Sequence, residues 1–106
     1  MNDILEKLAL CVEFGKINKV SPYPPNMKDQ DGADELARRA LEEGVRPDEI
    51  LENALVPAMA KVGEKFTRKE IYVPQMLMAA KAMNSAMAHL KPFSSQVKQS
   101  VKANLL

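Results

Sequence analysis

Between Pro74 and Pro92 the chain carries Met76, Ala80, Met83, Met87 and Leu90 at spacings of three and four, with Ala79, Ala82 and Ala86 on a neighbouring line. A helix brings such positions onto one face, whereas a strand repeats every two residues. The pattern predicts a helix from about Val73 to about Leu90, stopped by Pro92. Its methionines form a continuous apolar seam. Its alanines form a second, small-residue face that lets another helix come close.

The same spacing recurs upstream. Ile4, Leu5, Leu8, Cys11 and Val12 predict a first amphipathic helix, capped by Asn2 or Asp3 and stopped near Gly15. Leu36, Ala37, Ala40 and Leu41 predict a second, from about Ala33 to Glu43, ended by Gly44. Pro47 suits the first position of a third, with Asp48 and Glu49 near its positive end. Leu51, Leu55, Ala58 and Val62 line that helix, widened by Ile50, Ala54 and Met59. Pro57 frees the carbonyl of Asn53, so a bend is expected there. Gly63 to Tyr72 is read as the close of this helix and the crossover to the next.

Ser21-Pro22-Tyr23-Pro24-Pro25-Asn26 cannot be a helix interior, because proline lacks an amide donor and disfavours helix in the residue before it. The fold class is therefore all-α: a four-helix bundle with a long proline-rich loop between helices 1 and 2. The helical domain is placed at 1–92. Residues 93–106 are polar, basic and weakly patterned, and read as a tail or a truncated linker.

Composition agrees. The 106 residues suit one domain, and 46% hydrophobic with only 5% aromatic favours helix-on-helix packing over a sheet. Cys11 is the lone cysteine, so no internal disulfide forms, which fits a reducing cytoplasm. No signal-peptide or membrane-spanning pattern is present. The net charge of +1 is uneven: residues 31–52 carry −5 and residues 61–106 carry +6. Arginine clusters with interleaved aromatics are missing, so the basic half reads as a solvated face and not as a nucleic-acid site.

No catalytic constellation appears. One histidine excludes a His-His or His-Cys metal cluster, and four glycines leave no phosphate-cradling loop. His89 could ligate a metal or titrate near neutrality, but its place near a helix C-terminus already accounts for it. Cys11 lies on an apolar stripe and reads as a small buried hydrophobe. Glu42-Glu43 and Asp48-Glu49 read as solvated acidic helix ends.

The informative stretch is Val62-Gly-Glu-Lys-Phe66, a charged linker, Tyr72-Val-Pro-Gln-Met-Leu-Met-Ala-Ala80, then the Met-rich segment ending in Leu90-Lys-Pro92. Together with Ala40 to Leu51 and Val56-Pro-Ala-Met59, it resembles the helical cap domain of corrinoid-binding methyl-transfer proteins. These include cobalamin-dependent methionine synthase and the corrinoid proteins of methylamine and methanol methyltransferase systems. The resemblance covers residues 36–92 well and 3–15 loosely.

The resemblance implies a non-catalytic component of a cobalamin-dependent methyltransferase system, a cap that shields the cobalt-bound methyl group. It implies cofactor-binding roles for Phe66, Val73 and Met76, with no catalytic or metal-ligating residue. Phe66 matches an aromatic near the upper face of the corrin. Val73 matches a position usually held by Leu, and Met76 a neighbouring apolar contact. Implied partners are a cobalamin-binding α/β domain and methyltransferase subunits, with no nucleic acid and no membrane. The family's Asp-x-His-x-x-Gly motif, whose histidine binds cobalt from below, is absent from the sequence. Cobalamin is therefore expected in the context of a full-length or partner protein and not as a ligand of this chain alone. The chain is read as a fragment, a truncated product or a separately encoded cap. The alternative is a free-standing helical dimerisation or protein-interaction module. A homodimer pairing the cap faces is expected in either case. Ser21 to about Asp31 reads as an insertion, either a partner-binding elbow built on Tyr23 or a rigid loop, with the rigid loop favoured.

Overall fold

Five α-helices, a 3-10 turn and a π-helical turn make up the computed structural model, which describes residues 3–91. The stop expected at Pro92 and the tail expected over 93–106 lie outside the described residues. Helix α1 is Asp3–Phe14 and α2 is Ala33–Glu42. Helix α3, Pro47–Ile50, passes through a π-helical turn at Leu51–Leu55 into α4, Val56–Thr67. Helix α5 is Val73–Leu90. Helical dihedrals run unbroken through Ile50, Leu51, Leu55 and Val56, so α3, the π turn and α4 are one rod and the bundle has four. Among the described residues there is no strand. None of the helices is long and apolar enough to cross a membrane.

A π turn lies just ahead of Pro57, where a bend is expected from the sequence. Pro57 has no amide for the carbonyl of Asn53, and its ring crowds the preceding turn. The ladder widens just before it: the Val56 amide donates to the carbonyl of Leu51, five residues back.

Three helices end in one backbone motif. Gly15 (φ +77) and Gly44 (φ +94) adopt the left-handed conformation. The next amide in each case reaches back five residues, Lys16 to Cys11 O at 2.8 Å and Val45 to Ala40 O at 3.0 Å. The third stop falls inside the Gly63 to Tyr72 stretch read as the close of this helix, beyond Gly63 itself. That glycine lies inside α4, and Thr67 Oγ1 donates to its carbonyl at 3.0 Å. The helix ends instead at Lys69, a non-glycine at φ +62, with Glu70 N bonded to Lys65 O at 2.9 Å.

The core is made where α1, α2 and α5 meet the π turn and the start of α4. Ala33, Ala37 and Ala40 of α2 and Ala79, Ala82 and Ala86 of α5 are all fully buried, so these helices meet through their smallest side chains. Leu8, Val12, Ile50, Leu55 and Leu90 fill the space around them. This orders the two apolar lines read on α5: the alanines face the core, whereas Met83 and Met87 pack only partly against it and Met76 is half-buried.

Residues 15–32 connect α1 to α2 through a 3-10 turn at Pro25–Met27. Lys16 is fully buried, and its Nζ donates to Ser21 O at 2.5 Å and Lys19 O at 3.4 Å. The loop returns to its own base. Ala33 N and Asp34 N, at the start of α2, donate to the carbonyls of Lys16 and Ile17, each at 2.9 Å. Backbone carbonyls thus satisfy amides that a side-chain cap usually takes. Gly32 stands so near this base that a Cβ on it would lie 2.5 Å from Asn18 Cα.

Candidate functional site: the α4–α5 corner

Four large apolar side chains remain exposed where α4 turns into α5. Phe66 is 39% exposed, Tyr72 66%, Val73 52% and Leu77 56%. Local bonds set this corner. The left-handed Lys69 ends α4, Tyr72 N donates to Gln75 Oε1 at 2.7 Å, and Pro74 sits in the first turn of α5, where its missing amide costs nothing. Lys65 anchors the end of α4 to α1. Its Nζ pairs with Glu13 Oε2 at 2.5 Å and lies 4.4 Å from the centre of the Phe14 ring. Arg68 pairs with Glu64 at 2.6 Å and approaches Glu70 at 3.9 Å.

Two open concavities lie here. One is walled by Phe66, Thr67, Lys69, Ile71 and Tyr72, and the other by Tyr23, Tyr72, Pro74, Gln75 and Met78. Tyr72 belongs to both. Of the three residues singled out in the sequence, Phe66 lines the first concavity. Val73 and Met76 line neither, although both lie in the first turns of α5 beside it. Leu77 and the loop residue Tyr23 were not assigned to this surface from the sequence. Leu77 was legible: at about 100° per residue it lies nearly opposite the alanine line of α5. Tyr23 was not, since nothing local places residue 23 against residue 78.

The remaining candidates lie elsewhere. His89, in the last turn of α5, bonds through Nε2 to Asp34 Oδ1 of α2 and is roughly 24 Å along the helix from Val73. Cys11 is buried, with Sγ 3.4 Å from the carbonyl oxygen of Asp31. Burial pushes its thiol up to about 11, Glu35 and Asp31 add to the rise, and Lys16 opposes it. It is thus a protonated core group and not a nucleophile. Among the described residues no group of three or more His, Cys, Asp or Glu side chains could hold a metal ion. The exposed side chains at the corner are mainly apolar, flanked by the Glu64, Arg68 and Glu70 charges.

The described residues thus form an all-helical bundle with an exposed apolar corner. A family model described as "B12 binding domain" matches residues 28–91, and the chain belongs to that family. It is 44% identical over 61 residues to monomethylamine corrinoid protein 2 of Methanosarcina acetivorans, covering 58% of this chain and 28% of that protein. It is 37% identical over 75 residues to the trimethylamine corrinoid protein of Methanosarcina barkeri, covering 71% of this chain and 35% of that protein. The chain thus spans about a third of the length of these relatives. No solved structure matches it. The resemblance drawn from Val62 to Pro92 is borne out at the level of the family.

Proposed function

We propose that this chain is the helical cap of a corrinoid methyl-carrier system, covering the methyl-bearing face of a cobalamin held by an α/β domain. The observation that carries this reading is the corner itself: Phe66, Tyr72, Val73 and Leu77 are large, apolar and exposed, and they fall inside the family match. The residues suit the upper side of a corrin. They offer an apolar surface, and the one histidine is bonded to Asp34 far from the corner. A bound corrinoid supplies a cobalt-carried methyl group to methyltransferase partners. Phe66, Val73 and Met76 exclude water from that face and do no proton transfer.

The test is titration of the isolated chain with methylcobalamin, followed by amide chemical shifts. Weak binding is expected, with a Kd of about 1 mM, because the sequence lacks the Asp-x-His-x-x-Gly motif. Shifts are expected at Phe66, Val73 and Met76. Tight stoichiometric binding, or saturation without shifts at the corner, sinks the reading.

A second reading rests on the same exposed residues. Monomeric proteins rarely expose a large contiguous apolar patch. With no corrinoid present, the corners of two copies pair into a homodimer, and Phe66→Asp returns the chain to monomer in sedimentation. A wild-type monomer at high micromolar concentration rules this pairing out and leaves the cap reading untouched.

A further inference from the structure

We infer that Tyr23, in the part of the long loop ahead of the family match, extends the corrinoid-covering surface of the corner and takes the amide-bearing rim of the ring. The inference rests on the cap reading above. The match begins at residue 28, so it assigns nothing to Tyr23. The fold nevertheless seats Tyr23 at the corner. With Tyr72, Pro74, Gln75 and Met78 it walls one concavity, and Tyr72 also walls the neighbouring one that contains Phe66. The surface therefore continues from the end of α4, across the start of α5, onto the loop.

The seating has identifiable causes. A Cβ at Gly15 would lie 2.8 Å from Met78 Cβ and 3.2 Å from Tyr23 Cε1, so the glycine lets the end of α1, the loop and α5 close on one another. The same residue needs its left-handed φ of +77. Lys16, buried beside it, binds the Ser21 and Lys19 carbonyls, and Ser21 Oγ donates to Tyr23 O at 3.2 Å. Each of these bonds fixes the segment that carries the ring.

The walls suit one occupant. A corrin is an apolar macrocycle edged with primary-amide arms. Two phenol rings, a proline ring and a thioether give the concavity apolar walls. The two phenol hydroxyls and the Gln75 carboxamide bring the donors and acceptors that primary amides pair with. Phe66 then meets the ring face and Tyr23 its edge.

The experiment is the methylcobalamin titration, read at additional residues and repeated with Tyr23→Ala and Tyr23→Phe. The wild type is expected to show shifts at Gly15, Tyr23 and Met78 together with those at Phe66, Val73 and Met76. Tyr23→Ala weakens binding about fivefold and Tyr23→Phe by less, since the ring is kept and one hydrogen bond lost. Shifts confined to Phe66, Val73 and Met76, with unchanged affinity in Tyr23→Ala, overturn the inference and leave the cap reading standing. Saturation without shifts at the corner overturns both. Loop shifts that appear on concentrating the chain without methylcobalamin, and do not change when it is added, assign the concavity to a second copy and overturn the inference. The wild-type map decides the matter even where a variant folds poorly.

Discussion

Helix α5 has two apolar faces that use side-chain size in opposite ways. On its inward face it presents Ala79, Ala82 and Ala86, all fully buried. Away from the core, at its first turns, it presents Val73 and Leu77, both more than half exposed. The largest aliphatic groups would ordinarily be the first to leave water, since each gains about 1.5–3 kcal/mol by burial. Here alanines hold the interior and larger groups stand outside. The inward face is set by how closely two helices approach. The outward face is free of that limit and keeps the apolar area that a ligand or partner can cover. Stability and recognition are thus carried by different residues of one helix.

The largest effect that can break this contrast is overpacking of the seam. Ala82→Leu inserts three carbons where α2 and α5 touch, and is expected to cost about 3 kcal/mol. That lowers the midpoint of thermal unfolding by roughly 10 °C or more. The matched change outside, Leu77→Ala, is expected to stay within about 0.5 kcal/mol of wild type. Thermal and urea unfolding of both variants check the pair. A loss at Leu77 as large as that at Ala82 would show that the two faces are not divided as described.

The next test concerns the loop. Lys16→Met removes a fully buried ammonium that serves the carbonyls of Ser21 and Lys19. Removing a charged donor from buried acceptors costs about 2 kcal/mol. The loop, and not the seam, should respond first. Amide exchange is expected to speed up at Ser21 and at Ala33 and Asp34, whose amides rest on the loop base. Equal acceleration throughout α5 would mean that Lys16 supports the whole bundle.

The helices were legible because their apolar residues recur at three and four, and the stops at Gly15 and Gly44 because glycine takes a left-handed φ without cost. The close of the third helix was read only as the stretch from Gly63 to Tyr72, and the observed end falls within it. Glycine permits a helix end without requiring one, and the true end falls on Lys69, which no composition rule marks. Periodicity drew both lines on α5 but could not rank them, because closeness of approach belongs to the pair of helices and not to either sequence. The partners Asp34 and His89 are 55 residues apart, and no local signal joins them. Phe66, Val73 and Met76 came from family resemblance; spacing alone would have put them in the core. Exposure of Phe66 and Val73 argues against that placement.

Cys11 offers a pH-dependent measure of the buried side. Its thiol sits at about 11 in the folded chain against 9.0 when unperturbed, chiefly through burial. Between these values the unfolded chain has released the proton and the folded chain still holds it. Stability is therefore full below pH 9, falls as pH rises toward 11, and levels off above it with respect to this group. Cys11→Ala should remove that alkaline slope, whatever its offset from the lost sulfur. Disulfide reagents at pH 8 should modify Cys11 only as fast as the chain opens. An alkaline slope that survives in Cys11→Ala would place its origin in another group.

The smallest effect is expected at Lys69, where folding and recognition meet. Its φ of +62 places a side-chain-bearing residue in a conformation that costs roughly 1–2 kcal/mol relative to the right-handed helical region. Glycine adopts it freely but loses more freedom on folding, so Lys69→Gly should stabilise the chain by about 0.5–1 kcal/mol, and Lys69→Asn by less. The gain should appear as a small rise in the urea midpoint with an unchanged slope. Lys69 also walls the concavity that contains Phe66. If the concavity recognises its ligand through apolar contact alone, both variants will bind methylcobalamin as the wild type does. A loss of affinity in Lys69→Gly and Lys69→Asn alike would assign the ammonium a part in recognition. In that case the strained backbone would be kept because it holds a charged group at the edge of an otherwise apolar surface.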